Sequence, residues 1–182
     1  MTTLEYFDAF LDQCFDVFLK KNADYGTSWR VLRPSSVTDQ ILIKISRLRS
    51  IDEKGEQKVN DPIEGEFYGL INYSVMALIQ LDRGSHVDTA MSLDELTSEF
   101  KKQVQTARGL LDKKNHDYGE AWRMMRLSSI IDIILMKVHR MKSIEENQGK
   151  TLISEGLDAN YLDIINYCVF GLVKLSEEKT KV

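Results

Sequence analysis

The chain has 182 residues, a formal net charge of −4 and an ordinary apolar content of 43 %. No apolar run approaches the roughly 18 residues that a membrane span needs, and the N-terminus lacks the basic start and apolar core of a signal peptide. The acidic balance argues against general binding of a nucleic-acid backbone, which needs a basic surface. We therefore expect a cytoplasmic globular protein with no membrane partner and with nucleic acid as a disfavoured one.

The sequence repeats itself at an offset of 93 residues. Residues 20–53 and 113–146 are identical at 19 of 34 positions. The match resumes one residue later in register, with LINYSVMALIQL at 70–81 against IINYCVFGLVKL at 164–175. Such a repeat predicts two copies of one structural unit. We divide the chain into repeat 1 (1–83), a linker (84–91) and repeat 2 (92–182).

Each repeat is predicted to form three helices, and the first helix has clear ends. It opens at Thr2 in repeat 1 and at Ser92 in repeat 2, because each is followed three residues on by a glutamate, which makes a capping box. Apolar residues then recur at helical spacing. The run Asn-x-Asp-Tyr-Gly ends this helix, since Gly26 and Gly119 tolerate the left-handed conformation.

The second helix is predicted to open at Ser36 or Ser129, each followed three residues on by an aspartate. It is apolar on a wide face and runs to about Glu53 or Glu146. The third helix is expected at roughly 64–82 and 158–178. Strand signals are nearly absent. The predicted fold class is all-α, with the two three-helix units packed around a pseudo-twofold axis as one bundle-like domain, because one unit buries little surface alone.

Polar residues concentrate in the connection between the first and second helices. The chain has two tryptophans, Trp29 and Trp122, in equivalent positions of this loop. A tryptophan there can stack on a nucleobase. Two arginines follow it, three residues apart, near a helix N-terminus that attracts anions. Guanidinium groups bind phosphate through bidentate hydrogen bonds. The candidate phosphate-binding residues are therefore Arg30, Arg33, Arg123 and Arg126.

A purely structural interpretation accounts for the same loop. The tryptophan can anchor the loop in the core, and the glycine can be a helix stop. The arginines can hold carboxylates of the same fold, such as Asp24 and Asp39. Both interpretations stay open at this point.

A second cluster of cations lies on the second helix. Lys44 and Arg47, equivalent to Lys137 and Arg140, are three residues apart on one stripe that apolar residues flank. A long cation in such surroundings needs an anionic partner, because an unpaired buried charge is costly. An ion-pair network between the second and third helices and a ligand site both satisfy this requirement.

The third helix of repeat 2 carries the candidate partner. Asp163, Asn166 and Tyr167 fall on one face, at positions i, i+3 and i+4. In repeat 1 the aspartate is replaced by Gly69, whereas the asparagine and tyrosine are kept as Asn72 and Tyr73. Asp163 is therefore a structural ion-pair partner, or an acid, base or metal ligand of a site that is complete only in repeat 2.

A magnesium site is weakly indicated near the start of the same helix. Glu155 and Asp158 are three residues apart, a spacing that can ligate magnesium from one helical face, with Asp163 as the third candidate. The helix dipole explains acids in a first turn equally well. Magnesium stays open as a cofactor. Zinc is not expected, because the histidines lack the spacing of zinc ligands: His86, His116 and His139.

Together these motifs resemble the nucleotide modification associated domain, type one, long described as a domain of unknown function. The resemblance rests on Lys-Asn-x-Asp-Tyr-Gly-x-x-Trp-Arg, Arg-x-x-Ser, Lys-x-x-Arg and Asp-Ile-Ile-Asn-Tyr, and covers about 20–81 and 113–175. It implies an association with systems that handle modified nucleotides, and no particular catalytic activity. The matching positions in repeat 2 are Asn115, Asp117, Tyr118, Gly119, Trp122, Arg123, Lys137, Arg140, Asp163, Asn166 and Tyr167, and repeat 1 adds Asn22, Asp24 and Tyr25.

A looser resemblance is to the all-helical nucleotide pyrophosphohydrolases of the MazG type. They bind magnesium and a nucleoside triphosphate, with Glu-x-x-Glu on one helix. The corresponding helix here carries lysine and arginine, which speaks against the same metal-dependent chemistry.

The function favoured by these patterns is binding of a phosphorylated nucleotide, with a role in modified-nucleotide or DNA-modification metabolism. Lys137 and the arginines hold phosphate, Trp122 or Tyr118 faces the base, and Asp163, ionised beside cations, is the catalytic candidate. Repeat 1 is then expected to bind weakly or to be a structural mirror. Whether the protein is an enzyme stays open, as does its state as monomer or homodimer. The alternatives are a non-catalytic helical interaction or scaffold protein and a distant MazG-like pyrophosphohydrolase.

Overall fold

The computed structural model describes residues 1–85 and 90–179. His86 and part of the expected linker therefore lie outside the described residues. The described part contains six α-helices and two short 3-10 helices. They are α1 (Thr3–Tyr25), a 3-10 helix (Ser28–Val31), α2 (Pro34–Lys54), α3 (Ile63–Arg83), α4 (Leu93–Tyr118), a 3-10 helix (Ala121–Met124), α5 (Leu127–Glu146) and α6 (Leu157–Lys179).

The ends of α1 and α4 confirm the predicted caps. The hydroxyl groups of Thr2 and Ser92 each accept from the backbone N–H three residues on, and the glutamate there accepts from the cap's own N–H. Both helices end at Asn-x-Asp-Tyr-Gly, where Gly26 and Gly119 adopt φ values of 63° and 57°. These positive φ values are why glycine stands at the two positions.

The predicted starts of the second helices were wrong. α2 begins at Pro34 and α5 at Leu127, two residues before Ser36 and Ser129, and neither start has a side-chain cap. Arg33 and Arg126 precede them with extended backbone, at ψ values of 152° and 153°. A short 3-10 helix and this extended arginine precede each helix start, so the serines lie inside the first turn of α2 and α5.

The helices pack in the matched pairs that a twofold relation requires. α2 packs on α3 as α5 packs on α6, and α3 contacts α4 as α6 contacts α1. Three further contacts join equivalent helices directly: α1 with α4, α2 with α5, and α3 with α6. The described residues form no strand. The all-α class and the pseudo-twofold repeat are both confirmed.

The core lies where the third helices of the two repeats meet. Gly171 of α6 lies against the ring of Phe67 on α3, and a Cβ at Gly171 would stand 2.6 Å from that ring. α1 and α4 pack antiparallel: Asp8 pairs with Arg108 at 2.7 Å, and Thr3 at the start of α1 bonds to Glu120, just beyond the end of α4. No helix in the described part of the chain is long and apolar enough to cross a membrane.

Candidate functional site

The two repeats contain a matched pair of cavities, each between the first helix, the tryptophan loop and the third helix. The repeat 1 cavity has a volume of about 520 Å³ and the repeat 2 cavity about 400 Å³. Most of their linings are equivalent residues. The repeat 1 cavity is defined by Phe18, Lys21, Tyr25, Trp29, Lys44, Gly69, Asn72, Tyr73 and Met76. The repeat 2 cavity is defined by Leu111, Lys114, Asn115, Tyr118, Trp122, Asp163, Asn166, Tyr167 and Phe170.

The tryptophans form a wall of each cavity while they also anchor the loop. Trp29 and Trp122 are only 8 % and 7 % exposed. The Trp122 ring stacks on Phe170, with ring centres 4.3 Å apart. The guanidinium of Arg123 lies 4.7 Å from the same ring. Among the described residues, the buried indole N–H of Trp122 has no hydrogen-bond acceptor. Trp122 therefore has one unused donor, and its side chain lines the repeat 2 cavity.

A buried asparagine occupies the same place in both cavities. Asn72 donates from Nδ2 to the carbonyl of Cys14 at 3.3 Å, and Asn166 donates to the carbonyl of Ala107 at 3.2 Å. A carbonyl accepts only, so the amide nitrogen must face it and Oδ1 must face away. Both Oδ1 atoms are buried and accept no hydrogen bond from the described residues. A buried acceptor without a partner is costly, and both asparagines belong to the linings of their cavities.

Asp163 neutralises the lysines of repeat 2. Its two oxygens accept from Lys114 and Lys137, both at 2.6 Å. Burial alone would raise the pKa of this carboxyl, but the bonds and charges of the two lysines outweigh burial, and the pKa lies below its usual range. The expectation that buried Lys137 needs an anionic partner is therefore confirmed.

In repeat 1 the carboxylate stands one helical turn earlier. Glu66 accepts from Arg47 and, at 3.2 Å, from Lys44. Gly69 makes room for the Lys44 side chain, because a Cβ there would lie 2.7 Å from its Cε. Lys21 has no ion-pair partner within the described ranges. The sequence reasoning missed Glu66 and Lys21, although Lys21 belongs to the repeated Lys-Lys-Asn run and Glu66 lies three residues before Gly69.

The arginines of the loops do not join these cavities. Arg30 is buried and donates to Gln80 on α3, and Arg123 donates to Glu120 at 2.7 Å and to Glu177 at 2.9 Å. Arg33 and Arg126 are exposed at the starts of α2 and α5. The expected convergence of Arg123 and Arg126 with Lys137 and Asp163 in one cleft is thus not found.

Arg140 lies at a different place from the repeat 2 cavity. It lines a separate open cavity of about 740 Å³, together with His139 and the segment 150–155. The residue equivalent to Glu66 in repeat 2 is Asn160, so Arg140 lacks the carboxylate that holds Arg47. Its expected anionic partner is absent from the described residues.

The remaining acidic candidates are scattered. Asp24 and Asp117 are exposed and line neither cavity. Asp39 pairs with Lys142 at 2.5 Å, and no arginine of the loops holds it. Within residues 1–85 and 90–179 no group of three histidine, cysteine or acidic side chains could hold a metal ion. Glu155, Asp158 and Asp163 are therefore not brought together as magnesium ligands.

The matched cavities recur in the two segments that comparison with protein families identifies. The model of the nucleotide modification associated domain 1 family matches residues 21–81 and 114–175. The chain belongs to this family. It contains the domain twice, in tandem. Comparisons with curated proteins and with solved structures found no match. The family association is with nucleotide modification, and part of the repeated motif lines the cavities, including both tryptophans and the tyrosines Tyr25, Tyr73, Tyr118 and Tyr167.

Proposed function

We propose that this protein binds nucleotides in the cavities of its two domains and acts in the metabolism of modified nucleotides. One observation carries the proposal. In both repeats a cavity between a tryptophan and a tyrosine is lined by a buried asparagine whose amide oxygen has no hydrogen-bond partner among the described residues. Volumes of about 400 and 520 Å³ fall within the range of small-molecule sites. The family association agrees with a nucleotide as ligand.

The side chains have distinct tasks in this proposal. The free Oδ1 of Asn72 or Asn166 accepts from a ring N–H, an exocyclic amine or a sugar hydroxyl. Tyr25 and Tyr118 stand at the mouths, 57 % and 72 % exposed, where they can stack on a base. A lysine at each cavity completes the set of contacts.

Asp163 supports the site in this proposal and takes no proton. Both of its oxygens are held by lysines, and its lowered pKa makes it a weak base at neutral pH. Its task is to fix the positions of Lys114 and Lys137. Nucleotide binding therefore does not require catalysis, and the proposal covers a binding protein as well as an enzyme.

The test uses the exposed tyrosines, because their removal leaves the core intact. A thermal-shift screen of nucleosides and nucleotides first identifies ligands that raise the melting temperature, as any ligand of the folded state must. Calorimetric titration then compares Tyr25→Ala and Tyr118→Ala with the parent protein. Each variant is expected to lose about 1–3 kcal/mol of binding at its own cavity, the value of one base–aromatic stack, with no loss of stability.

Met124→Ala is the matched control. Met124 is an exposed side chain of the same loop, 84 % accessible, and lines neither cavity. It should change neither affinity nor stability. Absence of any nucleotide-induced shift, with the tyrosine variants behaving like the control, would show that the motif serves the fold. The protein would then be a helical scaffold.

A further inference from the structure

The two cavities have almost the same walls but a different charge balance: the repeat 1 lining is positive, and the repeat 2 lining is neutral. The lining of the repeat 1 cavity contains Lys21 and Lys44 and no carboxylate. The lining of the repeat 2 cavity contains Lys114 together with Asp163, which also holds Lys137. The difference arises because the third helix of repeat 1 carries its carboxylate one turn earlier, at Glu66.

We propose that the two cavities divide the ligands by charge: the repeat 1 cavity takes a phosphate-bearing nucleotide, and the repeat 2 cavity takes an uncharged nucleoside or base. The division deepens the nucleotide binding proposed above and rests on it.

The lysines of repeat 1 are less fully neutralised than those of repeat 2. The Lys44 side chain is 28 % exposed, against 9 % for Lys137, and Glu66 shares its charge between Lys44 and Arg47. Lys21 has no ion-pair partner among the described side chains. Two ammonium groups without a carboxylate in the lining attract a phosphate, and the free Oδ1 of Asn72 remains for the nucleoside.

The lysines of repeat 2 are already occupied. Asp163 lies 2.6 Å from both ammonium groups, and a phosphate placed there would face a carboxylate that stays ionised. Like charges at close range oppose binding. What this cavity offers is the aromatic wall of Trp122 and Phe170. The buried indole N–H of Trp122 and the buried amide oxygen of Asn166, two residues of its lining, have no partner among the described residues. An uncharged heterocycle fits such a lining.

The cavities are too far apart to share one nucleotide. Lys21 is near the end of α1, whereas Thr3 at its start bonds to Glu120 in the loop of Trp122. Eighteen residues of helix span about 27 Å. Each cavity therefore binds its own ligand.

One tryptophan in each cavity makes the division measurable. Trp122→Phe leaves Trp29 as the reporter of repeat 1, and Trp29→Phe leaves Trp122 as the reporter of repeat 2. Each protein is titrated, with fluorescence detection, with inorganic pyrophosphate and with adenosine, guanosine, cytidine and thymidine. Pyrophosphate is expected to change the emission of Trp29 at concentrations at least about tenfold lower than that of Trp122. The nucleosides are not expected to favour repeat 1, and at least one of them should change the emission of Trp122. Raised salt should weaken only the pyrophosphate response.

Exchange of the charge pattern tests the cause. Gly69→Asp places a carboxylate beside Lys44, whose flexible end can move aside. It should reduce pyrophosphate binding to repeat 1 by about tenfold or more, the loss of one hydrogen bond to a charged group. Gly69→Asn has the same size without the charge and should keep most of the binding. Asp163→Asn, if it remains folded by circular dichroism, should give repeat 2 a new pyrophosphate response.

The outcomes separate this division from nucleotide binding itself. Equal pyrophosphate responses in both reporters, no response in either, or equal losses in Gly69→Asp and Gly69→Asn would overturn the division even if nucleotides bind. Pyrophosphate binding at Trp29 without any effect of nucleosides or nucleotides would leave the anion site standing and refute the nucleotide ligand.

Discussion

Repeat 1 and repeat 2 differ in how the third helix neutralises a lysine of the second helix. Both place a lysine of the second helix beside the third helix, and both supply a carboxylate from the third helix to hold it. In repeat 2 the carboxylate is Asp163 inside the cavity, and in repeat 1 it is Glu66 one turn away. The comparison shows that a repeated framework can keep its packing while a shift of three residues changes the charge of the site.

The largest expected effect comes from removal of these carboxylates. Asp163→Asn should destabilise the fold by about 3 kcal/mol, because it leaves Lys137 buried without a counter-charge. Glu66→Gln should lose only about 1 kcal/mol, since its partners Lys44 and Arg47 are more than a quarter exposed. Urea denaturation of both variants measures the difference. Equal losses would mean that the two networks are energetically equivalent.

A double exchange sharpens the same comparison. Asp163→Gly combined with Asn160→Glu moves the carboxylate of repeat 2 to the place it has in repeat 1. We expect this protein to recover at least half of the stability lost in Asp163→Gly, because the new glutamate can pair with Lys137 and Arg140. No recovery in urea denaturation would show that the surroundings of each repeat fit one arrangement only.

The contact between the third helices offers a test of unequal packing. Gly171→Ala should cost about 1–3 kcal/mol despite alanine's higher helix propensity, because the new Cβ would stand 2.6 Å from the fully buried ring of Phe67. Gly109→Ala in α4 is the matched control. Apart from its own helix backbone and chain neighbours, no atom of the described structure lies within 4 Å of its Cβ position, so it should leave stability unchanged or raise it by up to about 1 kcal/mol. Thermal and urea unfolding measure both, and a neutral Gly171→Ala would contradict the close approach.

The helix caps test where the repeats agree. Thr2→Ala and Ser92→Ala remove the same capping bond from α1 and α4 and should each lose about 1 kcal/mol. The losses should match within experimental error and add in the double variant, since the caps lie in separate helices. A loss confined to one repeat would show that the pseudo-symmetry does not extend to stability.

Acid should reduce the stability difference between the parent protein and Asp163→Asn. A carboxyl whose pKa is lowered in the folded state stabilises the fold above its unfolded pKa of about 3.9 and loses that contribution as the pH falls through the folded value. The stability gap between the two proteins should therefore be full at pH 7 and shrink below about pH 4. Urea denaturation across this range measures the gap, and a constant gap would exclude the ionised carboxylate as its source.

Much of the fold follows from local sequence signals that occur in both repeats. The caps at Thr2 and Ser92, the stops at Gly26 and Gly119 and the apolar spacing depend on neighbours within a few residues, so the sequence alone determined six helices and their repeat. The starts of the second helices were not predicted correctly in this way. Ser36 and Ser129 look like caps, but the helices begin two residues earlier, at Pro34 and Leu127, directly after an extended arginine.

The candidate site, too, was predicted only in part from the sequence. Tyr118, Trp122, Asp163, Asn166 and Tyr167 were predicted from the repeat, and the tertiary structure brings them to one cavity. Whether they bind a ligand stays a prediction.

Only the tertiary structure decided which charges meet. Arg30 donates to Gln80, Arg123 to Glu177 and Lys114 to Asp163. The two residues of each pair are about fifty positions apart in the chain. A long cationic side chain reaches several carboxylates at similar cost, and helix packing selects the partner. Sequence spacing determines the face on which a charge lies, whereas the position of the neighbouring helix determines whether that charge is neutralised or left for a ligand.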